Sequence, residues 1–313
     1  MIFKQFHSIL KKLIYFSLII TSNYQYVYAS ELSLQTVAEG FFVHQGQHAG
    51  LDVPEREDIA NIGFIEGENC VAVIDTGGSI KIGDDLFNSI QSQTDTPICY
   101  VINTHVHFDH LLGNKAFQKE GIIFIGHANL VNELKINEVF FLENYLDELG
   151  GKKESGLIVL PDLIVKNEMV LDLGNRKLIL KAYPIAHSHS DLSVFDINTG
   201  TLWLSDLLFV DRIPVIDGSL KGWLQIMRDI NTDKLGHVIP GHGKFDIDIE
   251  TALARQNEYL QTLLDETRAM INEGAFLEEV IDKVGKSQTT KWQFFEQQHK
   301  RNVSRAFVEL EWE

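Results

Sequence analysis

Short apolar runs, rich in β-branched and aromatic residues and ending in Gly, Asp or His, alternate with stretches of helical period along most of the chain. Residues 60–65 and 70–74 read as two strands joined by the polar turn Glu66, Gly67, Glu68, Asn69, a hairpin. Asp75-Thr76-Gly77-Gly78 then opens a helix to about Gln93, and residues 98–103 form a strand that ends directly at Thr104 and His105. Strand, helix and strand at this spacing imply parallel neighbours with loop chemistry at their C-terminal ends. Residues 127–149 predict a helix carrying Val139, Phe140, Phe141, Tyr145 and Leu146, a core helix or a lid. Strands follow at 157–165, 169–173, 178–182, 192–196 and 201–204, while 111–132 and 210–223 read as loops that shape a pocket. Past His242, Ile249, Leu253, Leu260, Leu263, Leu264, Met270 and Ile271 fall near one helical period, so 248–273 is expected to be one amphipathic helix. Two shorter helices should complete the chain to Trp312. With no internal repeat and no low-complexity linker, the economical organisation is one α/β domain over 30–247, with helices of 248–313 packed on it.

The first thirty residues break this pattern. Lys4, Lys11 and Lys12 give a basic start, 13–20 is a short apolar run, and 24–29 is a polar-aromatic tail with Val27 and Ala29 at the positions a signal peptidase reads. A spanning helix needs about 20 consecutive apolar residues. The run is far shorter, so 1–29 is expected to be a signal peptide cleaved near Ala29, which predicts a periplasmic or secreted protein with no stable membrane insertion.

Composition narrows the chemistry. A chain of 313 residues, 44% hydrophobic, can bury a large core, and a formal charge of -17 repels nucleic acid and anionic lipid. Cys70 and Cys99 are the only cysteines, too few for a four-cysteine zinc site, and the sequence leaves open whether they form a bridge or two buried thiols. Metal chemistry must therefore come from the 12 histidines and the carboxylates.

Thr104-His105-Val106-His107-Phe108-Asp109-His110 carries the strongest chemical signal. In an extended segment residues i and i+2 point the same way, so His105 and His107 can reach one metal, while Asp109 and His110 at the following turn can face a second. Three histidines and an aspartate in six residues at the end of a buried strand are hard to explain by packing.

This segment resembles the H-x-H-x-D-H signature of the metallo-β-lactamase superfamily. The later elements of that pattern occur in order: Ala186-His187-Ser188-His189-Ser190-Asp191, Leu202-Trp203-Leu204-Ser205-Asp206 and Ile239-Pro240-Gly241-His242-Gly243. The resemblance covers roughly 58–245 and implies an α/β fold, a four-layer αββα sandwich, here with a helical C-terminal tail. It implies two Zn2+ ions per chain, one on His105, His107 and His187 and the other on Asp109, His110 and His242, with Asp206 bridging. Asp109 and Asp206 are the candidate catalytic carboxylates. His189 competes with His187. The family's fourth ligand stands four residues before an acidic residue, matched by Asp191, which favours His187 and leaves His189 a supporting or substrate-side role. Asp75 is a candidate either to orient a ligand imidazole or to cap the next helix.

A finer resemblance is carried by Ile59-Ala60-Asn61-Ile62-Gly63-Phe64, Val71 to Ser79, Cys99 to Thr104, Asp206 to Val210 with Arg212-Ile213-Pro214, Asp217-Gly218-Ser219 and the closing Glu309-Leu310-Glu311-Trp312-Glu313. These look like the quinoprotein relay system zinc metallohydrolases, exported proteins associated with quinoprotein dehydrogenases and c-type cytochromes. The implied partners are a small-molecule substrate and a periplasmic quinoprotein dehydrogenase or cytochrome c system. That association implies no substrate; two zinc ions sharing a water would give hydrolysis, and an aspartate at 206, as in glyoxalase II and the lactonases, favours a small ester, thioester or lactone. No G-x-S-x-G elbow is present, so no serine nucleophile is needed. Asp206, where the best-known zinc β-lactamases place a cysteine or serine, moves β-lactams down the order. The lack of basic clusters argues against the nuclease branch, and Val106, where the di-iron flavoproteins have a glutamate, against a redox di-iron centre. A mononuclear iron dioxygenase and a non-catalytic accessory that handles metal or a quinone cofactor remain as alternatives.

Overall fold

The computed structural model describes residues 31–313 apart from Glu154, Asp233 and Lys234, so the expected signal peptide and its cleavage position lie outside the described residues. Two sheets make the framework. The first has seven strands in sequential order: β1 Leu34–Ala38, β2 Phe41–His44, β3 Ile62–Glu66, β4 Val71–Ile74, β5 Ile98–Ile102, β6 Ile123–His127 and β7 Leu163–Val165. Pairing is antiparallel from β1 to β4 and parallel from β4 to β7. The second sheet runs β12 Val238–His242, β11 Thr201–Phe209, β10 Leu192–Asp196, β9 Lys177–Ala182, β8 Glu168–Asp172, with only β11 and β12 parallel.

Period-two alternation places the layers. In β4, Ala72 and Ile74 face the other sheet, where they meet Leu178, Leu180, Val194 and Trp203, while Val71 and Val73 face outward. Helix α1, Ile80–Gln93, covers that outer face through Ile82, Leu86 and Ile90. Short α2, Phe108–Leu111, and α3, Leu130–Asn144, form a smaller cluster around Leu112, Leu134 and Phe141. The outer face of the second sheet is covered by α4 Leu220–Asp229, α5 Ile249–Asn272, α6 Leu277–Lys283 and α7 Phe295–Leu310, joined in one core around Trp223, Tyr259, Leu263 and Val303. This is the αββα sandwich, with the C-terminal helices as part of its outer layer. Residues 31–313 form one contact unit. Among them no helix is long and apolar enough to cross a membrane.

Several boundaries differ from the sequence expectation for identifiable reasons. The strand expected over 157–165 forms only from Leu163, because Pro161 has no N–H for a ladder and Asp162 makes the first contacts with Phe124 through its backbone and side chain. The helix expected from His127 starts at Leu130, because His127 ends β6 and its Nδ1 accepts the Asn129 N–H. The two expected loops contain β6 and the first turn of α4, the latter capped where Ser219 Oγ accepts the Gly222 N–H. β11 continues past Leu204 to Phe209 through irregular pairing with β12, so Asp206 sits inside a distorted strand instead of in a turn after one. His242 is the last residue of β12.

Cys70, immediately before β4, and Cys99, in the neighbouring parallel strand β5, have Cα atoms 5.6 Å apart and form a disulfide.

Candidate metal centre

The C-terminal ends of β4, β5 and β12 and the middle of β11 meet at one end of the sandwich, and together with the loop between β9 and β10, which carries His187, they deliver two abutting donor sets. His105, His107, His187 and Asp206 make one, and Asp109, His110 and His242 the other. Asp206 joins them. Its Oδ2 lies 3.3 Å from both His187 Nε2 and His242 Nε2 and 3.7 Å from His105 Nε2, and its Oδ1 is 3.1 Å from His110 Nε2. Asp109 Oδ2 is 3.4 Å from His242 Nε2 and 3.7 Å from His110 Nε2.

Each imidazole is turned by the hydrogen bond its outer nitrogen donates. His187 Nδ1 donates to the Val215 carbonyl and His242 Nδ1 to the Ile59 carbonyl, both at 2.8 Å. His107 Nε2 donates to Asp217 Oδ2 at 2.7 Å and His110 Nδ1 to Asp75 Oδ2 at 2.8 Å. The Thr104 hydroxyl donates to Asp75 Oδ2 and accepts from His105 Nδ1. With these outer protons committed, the inward nitrogens of His105, His107 and His187 carry lone pairs. Yet His107 Nδ1 sits 3.0 Å from His105 Nε2 and 2.9 Å from His187 Nε2. Three lone pairs at that spacing repel unless a cation lies among them.

The electrostatics agree. Burial holds His105 and His107 below the ordinary histidine range and takes His187 down to about 3, which keeps them in the neutral form a ligand needs. Burial also pushes His110 down, but Asp206, Asp109 and Asp75 outweigh it and hold its pKa well above the usual value. The acidic charge around His110 thus calls for a positive charge at that point. His110 Nε2 and Asp206 Oδ1, both buried, face each other at 3.1 Å where the two donor sets meet. The nitrogen and carboxylate donors suit zinc.

The backbone is bent to make this arrangement. Asp75 and Ser205 adopt left-handed φ values of 56° and 50°, a conformation that costs of order 1–3 kcal/mol for a residue with a side chain. Asp75 uses it to accept the Thr104 N–H on Oδ1 while bracing His110 on Oδ2. Ser79, not Asp75, caps α1, its Oγ accepting the Ile82 N–H. Ser205 turns Asp206 toward β12, where Gly241 leaves room for the carboxylate. Phe209 and Trp223 pack on the backs of His187 and His242 and keep that side dry.

The structure brings together all seven expected ligands and leaves His189 outside. His189 is half exposed at the cleft, with Nδ1 3.5 Å from Glu133 Oε1, and touches no ligand's outer nitrogen. The role of holding those nitrogens, one of those considered for His189, is filled by Thr104, Asp75, Asp217 and two carbonyls. Asp191 closes the loop beside His187 by accepting the Ser188 N–H and hydroxyl. Its burial raises its pKa to about 7. A cleft of about 870 Å³ opens onto His107, Asp109, Asp206 and His242. Three arginines that line it, Arg212, Arg301 and Arg305, and the role of Asp217 were not foreseen. The i, i+4 spacing of Arg301 and Arg305 on a helix was the available signal for that pair.

The sequence model of the Metallo-beta-lactamase superfamily matches residues 56–246. No curated protein matches the chain. Solved structures share the fold at low identity. A metallo-beta-lactamase from Pontibacter korlensis is 17% identical over 74% of this chain and 99% of its own, with a TM-score of 0.58. The metallo-beta-lactamase TMB-1 is 19% identical over 74% of this chain and 97% of its own, at 0.57. The stereoselective inverting sec-alkylsulfatase Pisa1 from Pseudomonas sp. is 17% identical over 88% of this chain, at 0.67, and this chain spans only 50% of its length.

Proposed function

The chain belongs to the metallo-beta-lactamase superfamily, and from that premise we propose that it is an exported dinuclear zinc hydrolase of a small ester, thioester or lactone. The observation that carries the reading is the pair of abutting donor sets sharing Asp206, with lone pairs of His105, His107 and His187 crowded together. His105, His107 and His187 would hold one zinc, Asp109, His110 and His242 the other, and Asp206 both. Bound there, the two ions would supply hydroxide near neutral pH and polarise the oxygen under attack.

The chain's own residues do the rest. Asp75, Thr104 and Asp217 orient imidazoles, and Phe209 and Trp223 exclude water from behind them. Asp109 lines the cleft and is the carboxylate placed to receive a proton from an attacking water. Export is supported by the N-terminal pattern and by the Cys70–Cys99 disulfide, which persists in oxidising compartments. The motif resemblance supports work beside a periplasmic quinoprotein dehydrogenase or cytochrome c system.

The test is a panel of small esters, thioesters and lactones offered to the zinc-loaded protein and to its Asp206→Asn variant. Turnover by the first, reduced at least about 100-fold in the second, is expected. Two bound zincs with no turnover across the panel would favour the accessory role, and a single bound iron the dioxygenase.

A further inference from the structure

The cleft in front of the metal cluster has two kinds of wall, built on different elements. From α3 come Ile136 and Phe140, 78% and 51% exposed, with Phe141 beside them. Apolar side chains this exposed at the mouth of a site mark a surface that something apolar covers. From α7 come Arg301 and Arg305, and from the segment after β11 comes Arg212. Three of the chain's eight arginines thus line one cleft of a protein with a net charge of -17.

These arginines are only partly neutralised. Arg301 and Arg305 share a single carboxylate oxygen, Asp217 Oδ1, while Asp217 Oδ2 is occupied by His107. Arg212 is 4% exposed, donates through Nη1 to the Ala49 carbonyl, and has no ion-pair partner among the described residues. Burial pushes its pKa down, and the charges of Asp109 and Asp206 oppose that shift. With those two carboxylates engaged by cations, the surplus positive charge of the cleft is larger still. Glu133, in the first turn of α3, lines the same cleft and repels an anion from that end.

We propose that the substrate is amphiphilic, an ester-type molecule whose anionic group is held by Arg301 and Arg305, with Arg212 adding to the field, and whose apolar portion lies on Ile136 and Phe140. This deepens the hydrolase reading and rests on it. Arg301 and Arg305 set specificity and take no part in bond breaking.

The experiment measures binding of two non-hydrolysable probes to the zinc-loaded protein by calorimetry: octane-1-sulfonate and the uncharged octyl methyl sulfone. The protein is expected to bind the sulfonate at least about tenfold more tightly. Arg305→Gln alone, with Asp217 still held by Arg301, should reduce that preference at unchanged zinc content and sulfone affinity, and Arg301→Gln with Arg305→Gln should abolish it, compared at matched zinc content because Asp217 also orients His107. Ile136→Ser with Phe140→Ser should weaken octanesulfonate but not ethanesulfonate. Equal affinity for sulfonate and sulfone in the parent protein, or a preference that survives in the arginine variants because the zinc itself takes the anion, would overturn the proposal. Neither outcome bears on turnover, so a failed substrate panel with intact sulfonate selectivity would sink the hydrolase reading alone.

Discussion

A Cβ placed on Gly241 would fall 1.8 Å from Asp206 Oδ1, so the residue beside His242 must be glycine for the shared carboxylate to stand where it does. Gly241→Ala should therefore lower bound zinc in the folded protein, read by metal analysis beside circular dichroism. Asp75→Asn should weaken zinc binding by about 10 to 100-fold, the usual cost of losing a carboxylate that orients a ligand imidazole. Titrated side by side, His187→Ala should lose a zinc and His189→Ala keep both, and the reverse would move the ligand by two residues. His44 offers a test away from the centre. Burial lowers its pKa, but the hydrogen bond and charge of Asp58 at 2.7 Å outweigh this and raise it. Its stabilising contribution is then full below the unfolded histidine pKa and lost as pH rises through the folded one. The stability difference between the protein and His44→Gln, from denaturant unfolding, should shrink between pH 6 and pH 8. The expected ligands were legible in the sequence because each lies within a short motif, although Asp206 falls inside β11 and His187 in the loop between β9 and β10. Asp217, Arg301 and Arg305 were not, because they reach the site only through packing of α7, fixed by Asn302 donating to the Pro214 carbonyl and accepting the Ile216 N–H.

At the scale of elements, hydrophobic period found the β3–β4 hairpin, α1, β5 and the long α5, whose Asp248 cap accepts the Thr251 N–H. It missed β2, where Phe41 to His44 are all buried and alternation gives no signal, and β6, hidden in a segment read as loop. The distortion of β11 at Ser205 was invisible too, since a left-handed serine is imposed by the pairing with β12 and not by any local preference. The disulfide ties β4 to β5, the pair of strands that carries Asp75 and Thr104 to the site. Replacing Cys70 and Cys99 by serine should cost about 2–4 kcal/mol in denaturant unfolding, given the 29-residue separation. Two titratable thiols in the denatured, unreduced protein would contradict the bridge.

For the whole molecule, two helical layers and two sheets serve to hold seven polar side chains in a small volume where the lone pairs of three imidazoles converge. Folding and metal binding should be coupled, so chelation should lower the thermal midpoint and added zinc restore it. Against a net charge of -17 the cleft arginines are a local exception, which is the feature the proposed anionic substrate rests on. A shared two-cation centre is checked by the metal content of the chain purified from a periplasm without added metal, beside that of His242→Ala. Two zinc ions per chain are expected in the protein and at most one in the variant. A single iron per chain, or two zincs retained by His242→Ala, would contradict it.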